Sequence, residues 1–532
     1  MLPAVRAEPP RIFALTHANV VPSPGTVVED GTVLLRDGLI AAVGADVKIP
    51  SDAVEIDTEG GWIYAGLIDV RSGIGLSATE EPRERGPRTP STLPGAVHPV
   101  SRVRPETRAR DALLPFEGSR LREMQRVRNL GFTAVLVAPE KGVLRGRSVA
   151  IQLLDERPVT DLILRDDVAQ HAALEHGRFG DGYPTSLMGA VATIRQSALD
   201  ARRQATWGDR YRTNPQDMHR PEFHAAFAAL APVVAGEQAL WFAVEDPLDV
   251  LLAHRIGLEF DLELVIAASG HEWEIAEQVA ATGRPLVLPL AAPDKPDVGE
   301  QDEALDVSRR KMRRYLDSAT GPGRLHRAGV RFALTTHGLK NTADFPKRMR
   351  KIIEAGLPQD IALAALTTVP AELLGLERSI GTLEPGKIAN VVVSSGPLFD
   401  GESKPHLLFV DGIRYEVETP DKPRGDPDAV VDPRGVWSVA FDMGSRSFQR
   451  TWTISGKGET YSGTAETQSG EVDLDSVTLA GNALTVVYPA RGGRAMEVTV
   501  IIEGDSFDGT AQMGPRSVEI HGTRTSGPEG SL

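Results

Sequence analysis

Apolar positions in the first part of the chain come in short blocks broken by turn residues. Ile12 to Val21 is rich in apolar side chains, Asp30-Gly31 marks a turn, and Thr32 to Leu35 reads as a strand. Asp37-Gly38 is a hairpin signal ahead of Leu39-Ile40-Ala41-Ala42-Val43-Gly44, because Asp-Gly tolerates the positive φ of a tight turn. Ile49 to Asp57 then leads into Trp62-Ile63-Tyr64, so residues 11–66 predict a β-rich segment. Beyond it the pattern changes. Apolar runs at Thr133–Ala138, Ala239–Val244, Leu262–Ala267, Leu286–Pro289 and Val330–Thr336 alternate with helix-like stretches, as a parallel α/β barrel requires. Ala355 to Ala371 reads as two helices, and Ile388 to Val393 as a strand after the turn Glu384-Pro385-Gly386.

A third pattern begins after a stretch rich in Pro and Asp, Thr419 to Pro433, which reads as a linker. From Gly435 to Arg524 short strands recur at roughly 8–12-residue spacing, among them Val436–Phe441, Thr451–Ile454, Leu484–Tyr488 and Val498–Ile502. Gly-rich turns separate them. This predicts an up-and-down barrel or meander, loosely similar to lipocalin-like modules, as a structural or dimerisation accessory or as a ligand holder.

A chain of 532 residues is too long for one core and suggests two or three domains. Its net charge of −15 argues against general affinity for nucleic acid. No run approaches the about 18 apolar residues of a membrane-spanning helix. The absence of cysteine excludes a thiolate nucleophile and a Cys-based zinc site. Arginines cluster between Arg83 and Arg128, as a solvated face or as a surface for anions or a partner. The N-terminal lead Met1–Ala7 has no apolar stretch of a signal peptide. Glu8-Pro9-Pro10 ahead of a strand would suit a periplasmic or secreted protein after signal removal; the other reading is cytoplasmic.

Ala65-Gly66-Leu67-Ile68-Asp69 resembles the end of the first barrel strand in the amidohydrolase superfamily, where a Pro-Gly-Leu-Ile-Asp run leads into a His-x-His metal pair. Ser379 to Val393 is similar to the same family's Gly-x-Leu-x-x-Gly-Lys-x-Ala-Asp-Leu-Val-Val signature, with Asn390 in place of the aspartate. Leu407 to Gly412 supplies its closing strand and turn, and Tyr183 to Gln196 resembles an imidazolonepropionase-like branch in which the metal site is often eroded. The matches span residues 11–417. The resemblance implies a (β/α)8 TIM-like barrel over 67–375 and a composite β-sandwich lobe from 1–66 and 376–417. A linker over 418–434, an all-β domain over 435–524 and a tail over 525–532 complete the expected organisation.

The resemblance also implies a ligand set: His-x-His on strand one, one His each on strands five and six, and an Asp on strand eight. Together they hold zinc or a similar ion that lowers the pKa of its bound water to about 7. Aligned by strand, those positions carry Arg71 and Gly73, Ala243 or Val244, Ala268, and His337. None of the set stands. Arg71 would place a permanent cation near the metal position, as an electrostatic substitute for the ion. His337 at its strand end and His271 just after strand six are the candidate catalytic groups and the candidate ligands of a rebuilt zinc site, together with an acid. Arg71, with Glu245 and Asp246 after strand five, forms the candidate ligand-binding set.

Other motifs carry less. His171 and His176, like His219 and His224, have neither of the spacings that share a helix face. Gly142–Ser148 is glycine-rich without the lysine or spacing of a phosphate loop, and no Gly-x-Ser-x-Gly elbow appears. Two readings follow. The first is a pseudoenzyme with no metal cofactor, acting by binding a small anionic ligand or as a homo-oligomer or hetero-oligomer with an active amidohydrolase. The second is a working hydrolase of amide or cyclic amide C–N bonds with an atypical metal site or none.

Overall fold

A computed structural model describes residues 12–76, 95, 98–155, 157–177, 182–298, 307–401, 403–417, 426, 429, 431–442, 447–457, 460–467, 470–490, 494–513 and 516–527. The chain divides into two compact units at 417/418. Arg83, Arg85 and Arg88 of the arginine cluster lie outside the described residues.

The first unit opens with β1 (Ile12–Val21), β2 (Val28–Arg36), β3 (Leu39–Gly44), β4 (Val54–Asp57) and β5 (Trp62–Ala65). Asp37 and Gly38 both take positive φ in the tight β2–β3 turn, as Asp-Gly predicts. One edge of β1 pairs antiparallel with β2, the other pairs in succession with β4 and β5, and bulges around Ala18 let β1 serve both.

The barrel follows. Its staves are β6 (Leu67–Ser72), β7 (Phe132–Val137), the successive pair β8 (Leu144–Arg147) and β9 (Val149–Gln152), and, after β10 (Ile163–Arg165), β11 (Gln170–Ala173). β12 (Leu240–Ala243), β13 (Leu264–Ala267), β14 (Leu286–Pro289) and β15 (Phe332–Thr335) complete it. β6 and β7 are parallel, and β11 to β15 form an unbroken parallel run. The third stave departs from the all-parallel expectation. β9 runs antiparallel to β7 and β8 antiparallel to β11, joined at Ser148, which bonds Ala169 O and Val168 N. The stretch between β7 and β9 is too short for a helical crossover, so the chain can only double back. β15 closes against β6 through Asp69, whose carboxylate accepts from Thr335 Oγ1 at 2.5 Å and from Thr336 N at 3.1 Å.

After the barrel, β16 (Val391–Ser394), β17 (Pro405–Val410) and β18 (Ile413–Glu416) join the first sheet through β5, giving the order β18-β17-β16-β5-β1-β2-β3 with β4 on β1. Ile40 N donates to Lys387 O and Gly386 N to Ile40 O, both at 2.8 Å, so the Glu-Pro-Gly turn docks on the first hairpin. Asn390 sits where the lobe meets the barrel. Its carbonyl accepts from Gly66 N at 2.8 Å and its Oδ1 from Asp411 N at 2.9 Å, an acceptor role an amide fills as well as a carboxylate. Gly66 is required by packing, since a Cβ there would overlap the Thr133 side chain.

The second unit contains β19 (Gly435–Asp442), β20 (Ser447–Lys457), β21 (Thr460–Thr467), β22 (Gly470–Asp473), β23 (Ser476–Ala480), β24 (Ala483–Ala490), β25 (Arg494–Glu503), β26 (Ser506–Met513) and β27 (Arg516–Ser526). Apart from β22 and β23, neighbours in sequence pair antiparallel, β19 pairs with β27, and β21 pairs with β20, β22 and β23. The result is a closed eight-stranded barrel with β22 as a side hairpin. Its interior is filled by Trp437, Phe441, Trp452 and Phe507 among aliphatic side chains, so this is a packed core.

Candidate functional site at the barrel mouth

Because the staves other than β8–β9 run parallel, the residues that end them collect at one rim. Arg71 lies near the end of β6, Glu140 follows β7, Glu175 follows β11, Glu245 follows β12 and His337 follows β15. The antiparallel β8 begins at this rim and brings Arg145 to it.

Two guanidiniums dominate the electrostatics. Burial and the charge of Arg145 press the Arg71 pKa down, against opposing attraction from Glu140 and Asp69. Arg145 is likewise lowered by burial, with Glu175 and Glu140 pulling the other way. Arg145 has protein partners: its Nε donates to Gly142 O at 3.0 Å and its Nη2 to Glu175 Oε2 at 3.4 Å. Glu175 is shared, accepting also from Arg102 Nη1 at 2.5 Å and Gly142 N at 2.8 Å. The Arg71 backbone is anchored, its N–H on Asp69 Oδ1 at 3.2 Å and its carbonyl on Thr335 Oγ1 at 3.1 Å. Its guanidinium, among the described residues, makes neither an ion pair nor a hydrogen bond.

Two histidines feel these cations. His337 Nδ1 lies 3.2 Å from Glu140 Oε1, and burial together with Arg71 lowers its pKa despite that carboxylate. His171, on β11 beside Trp241 in the ladder, is buried, and its Nε2 has no hydrogen-bond partner. Burial first, then Arg145 and Arg71, push its pKa down to about 3, so it is neutral at physiological pH. Beneath them Asp69 is buried, which raises its pKa against the Thr335 and Thr336 hydrogen bonds.

The sequence candidates are divided between two neighbourhoods. The groups bearing on His337 are Arg71, Glu140 and Arg145; those bearing on His271 are Arg314, Glu274, Arg310 and Asp246, with no member in common. Asp246 is the N-cap of the helix Pro247–Glu259, accepting from Leu248 N at 3.1 Å, and it pairs with Arg310 at 3.0 Å and Arg314 at 3.3 Å. Glu245 is exposed and enters the site as a charge acting on Arg145. Among the described residues no three His, Asp or Glu side chains come together as a metal-holding group.

Sequence reasoning missed His171, Glu140, Arg145 and Glu175. His171 lies on a strand, where helix spacing carries no information about its neighbours. Arg145 stands in the Gly142–Ser148 stretch set aside for lacking phosphate-loop features, and its relevance depends on the reversed third stave. The described arginines of the 83–128 cluster are largely committed internally: Arg102 to Glu175, Arg108 and Arg110 to Asp166, and Arg128 to Asp155.

Residues 305–417 match the Amidohydrolase family. The chain is 25% identical over 469 residues to amidohydrolase tasK of Hapsidospora irregularis, covering 77% of this chain but only 44% of that protein. It is 29% identical over 425 residues to an imidazolonepropionase of Methylobacterium sp. (strain 4-46), covering 75% of this chain and 94% of the relative. Among solved structures, an amidohydrolase from Thermotoga maritima MSB8 superposes with a TM-score of 0.62 at 22% identity, over 76% of this chain and all of that one, sharing the fold. With the Gly-Leu-Ile-Asp strand, the returning Gly-Lys strand and the barrel between them, these likenesses agree: the chain is similar to the amidohydrolase superfamily, its imidazolonepropionase-like branch included.

Proposed function

We propose that this amidohydrolase-family protein is a pseudoenzyme that works by binding, its barrel mouth holding a small carboxylate-class anion at Arg71 where relatives hold a metal. The observation that carries this reading is the Arg71 guanidinium, part-buried at the rim and without a protein acceptor among the described residues. Arg145 at the same rim, and Arg102, which shares Glu175 with it, each have a carboxylate. A part-buried cation with no carboxylate in hydrogen-bond contact is the state an anionic ligand relieves, and a guanidinium fork suits a carboxylate. The residues present do not fit a resident divalent cation. Arg71 and Arg145 would repel it, and the nearby His337 Nδ1 already faces Glu140. We extend the proposal to assembly, with the chain acting as a homo-oligomer or beside an active amidohydrolase.

Metal analysis and calorimetric titration with acetate, succinate and glutamate test the binding. Arg71→Gln should weaken the tightest of these about 10- to 100-fold, the worth of one charged hydrogen bond. Stoichiometric zinc, manganese or iron, lost together with amidase activity on chelation, would overturn the reading. The His337–Glu140 pair favours a second reading, metal-independent hydrolysis of an amide with His337 as base. Turnover of a cyclic amide abolished by His337→Gln would select it.

A further inference from the structure

A cavity with a charged lining lies elsewhere, on elements that follow β13 and β14. It measures about 360 Å³ and is lined by Trp273, Glu274, Arg309, Arg310, Arg313 and Arg324. Trp273 and Glu274 come from a short 3-10 turn, Glu272–Ile275, whose shape is set by the buried Glu272. That carboxylate accepts from Ser269 N at 2.6 Å, Ser269 Oγ at 2.8 Å and Gly270 N at 2.9 Å. The arginines come from the helices Arg309–Asp317 and Gly321–Arg327, both in the connection from β14 to β15. Trp273 is 6% exposed, rests against Gly321 and carries the Arg324 guanidinium 4.9 Å from its ring centroid.

The charges around the cavity do not balance. Arg310 and Arg314 share Asp246 and Glu274 at 2.6–3.3 Å, and Arg313 and Arg324 share Asp317 at 3.6 and 3.3 Å. Burial would raise the Glu274 pKa, but Arg314 and Arg310 hold it at about 2, so this carboxylate is already committed as an anion. Arg309 has no ion pair or hydrogen bond among the described residues. Among the described residues, the cluster at the cavity thus sets five guanidiniums, Arg309, Arg310, Arg313, Arg314 and Arg324, against three carboxylates, a surplus of two positive charges on a chain whose net charge is −15.

From this geometry we infer a second ligand site: the cavity between Trp273 and the Arg309–Asp317 helix takes a small phosphate monoester. A phosphate monoester carries about −1.5 to −2 charges at pH 7, matching the surplus, and its oxygens suit guanidinium forks. A volume of about 360 Å³ is at the small end of ligand pockets and leaves room for an organic group on the phosphate. The connection between the last two strands is also where barrels of this architecture commonly take phosphate. This site shares no residue with the Arg71 cluster and does not depend on that reading.

Calorimetric titration of the full chain with glucose 6-phosphate, with glucose and glucuronate as controls, tests it. Glucose 6-phosphate should bind with one-to-one stoichiometry, glucuronate at least tenfold more weakly, and glucose not at all. The exposed pair Arg309→Gln with Arg313→Gln should weaken glucose 6-phosphate at least tenfold, while Arg71→Gln leaves it unchanged. The proposal is overturned if glucose 6-phosphate does not saturate, if glucuronate binds as well, or if the double variant binds like the parent. Loss of binding in Arg71→Gln overturns it equally, by moving the ligand to the barrel mouth.

Discussion

Replacing His171 with glutamine removes a single titrating group from the interior of the barrel mouth. The imidazole has an ordinary pKa of 6.5 and in the folded chain titrates at about 3, because burial and the charges of Arg145 and Arg71 all oppose its protonation. A base whose folded pKa lies below its unfolded one stabilises the fold fully above the unfolded value. That contribution is lost as pH falls, since the unfolded chain binds the proton first, and the loss continues until the folded imidazole also titrates. At pH 5 the unfolded imidazole is about 1.5 units below its pKa while the folded one is still neutral. At about 1.36 kcal/mol per unit, the parent loses about 2 kcal/mol between pH 8 and pH 5 on account of this residue alone. Urea unfolding of parent and His171→Gln at both pH values isolates the term, because distant titrations cancel in the difference. The stability gap should move by about 2 kcal/mol in the direction that disfavours the parent at pH 5. An unchanged gap would refute the reasoning and mean that the imidazole protonates in place. If succinate binds at Arg71 as proposed, saturating it should narrow the effect, by neutralising part of the charge that depresses the imidazole.

Three further outcomes follow from the packing. Glu272→Ala leaves Ser269 N, Ser269 Oγ and Gly270 N without their acceptor and should destabilise the first unit by about 2–3 kcal/mol in urea unfolding. Gly66→Ala drives a methyl group into Thr133 and should cost about 1–3 kcal/mol, with most of the loss restored by the added change Thr133→Ala. Trp437→Ala should cost about 3–5 kcal/mol of the small barrel's stability; hydrogen exchange should rise across β19 to β27 and stay level in β6 to β15.

The strands of the lobe were legible because Asp37-Gly38 and Glu384-Pro385-Gly386 state their turns in local chemistry, and the flanking apolar runs have nowhere else to be buried. The strand-end positions of Arg71 and His337 were legible through the resemblance, which aligns the Gly-Leu-Ile-Asp strand and the last barrel strand with those of amidohydrolases. Glu140, Arg145, His171 and Glu175 were not. Arg145 reaches the rim only because β8 runs against its neighbours, and that reversal comes from a connection length, which carries no residue signature. His271 and His337, grouped in the sequence as possible co-ligands, are separated by the arginines that each one faces.

By itself, then, the sequence marked the strands and turns of the lobe, the alternation of strand and helix after it, and a series of short strands from Gly435 on; the returning lobe and the barrel between its segments came from the resemblance to amidohydrolases. The strands and turns depend on hydrophobic period and turn residues, which act over a few positions. Only the tertiary structure decided that Arg71 meets Arg145 and a neutral His171, and that Asp246 and His271 belong with Arg310 and Arg314 instead. Those pairings join residues tens to hundreds of positions apart. The closure of the barrel, which sets the register of every strand at once, is what brings them within Coulombic reach.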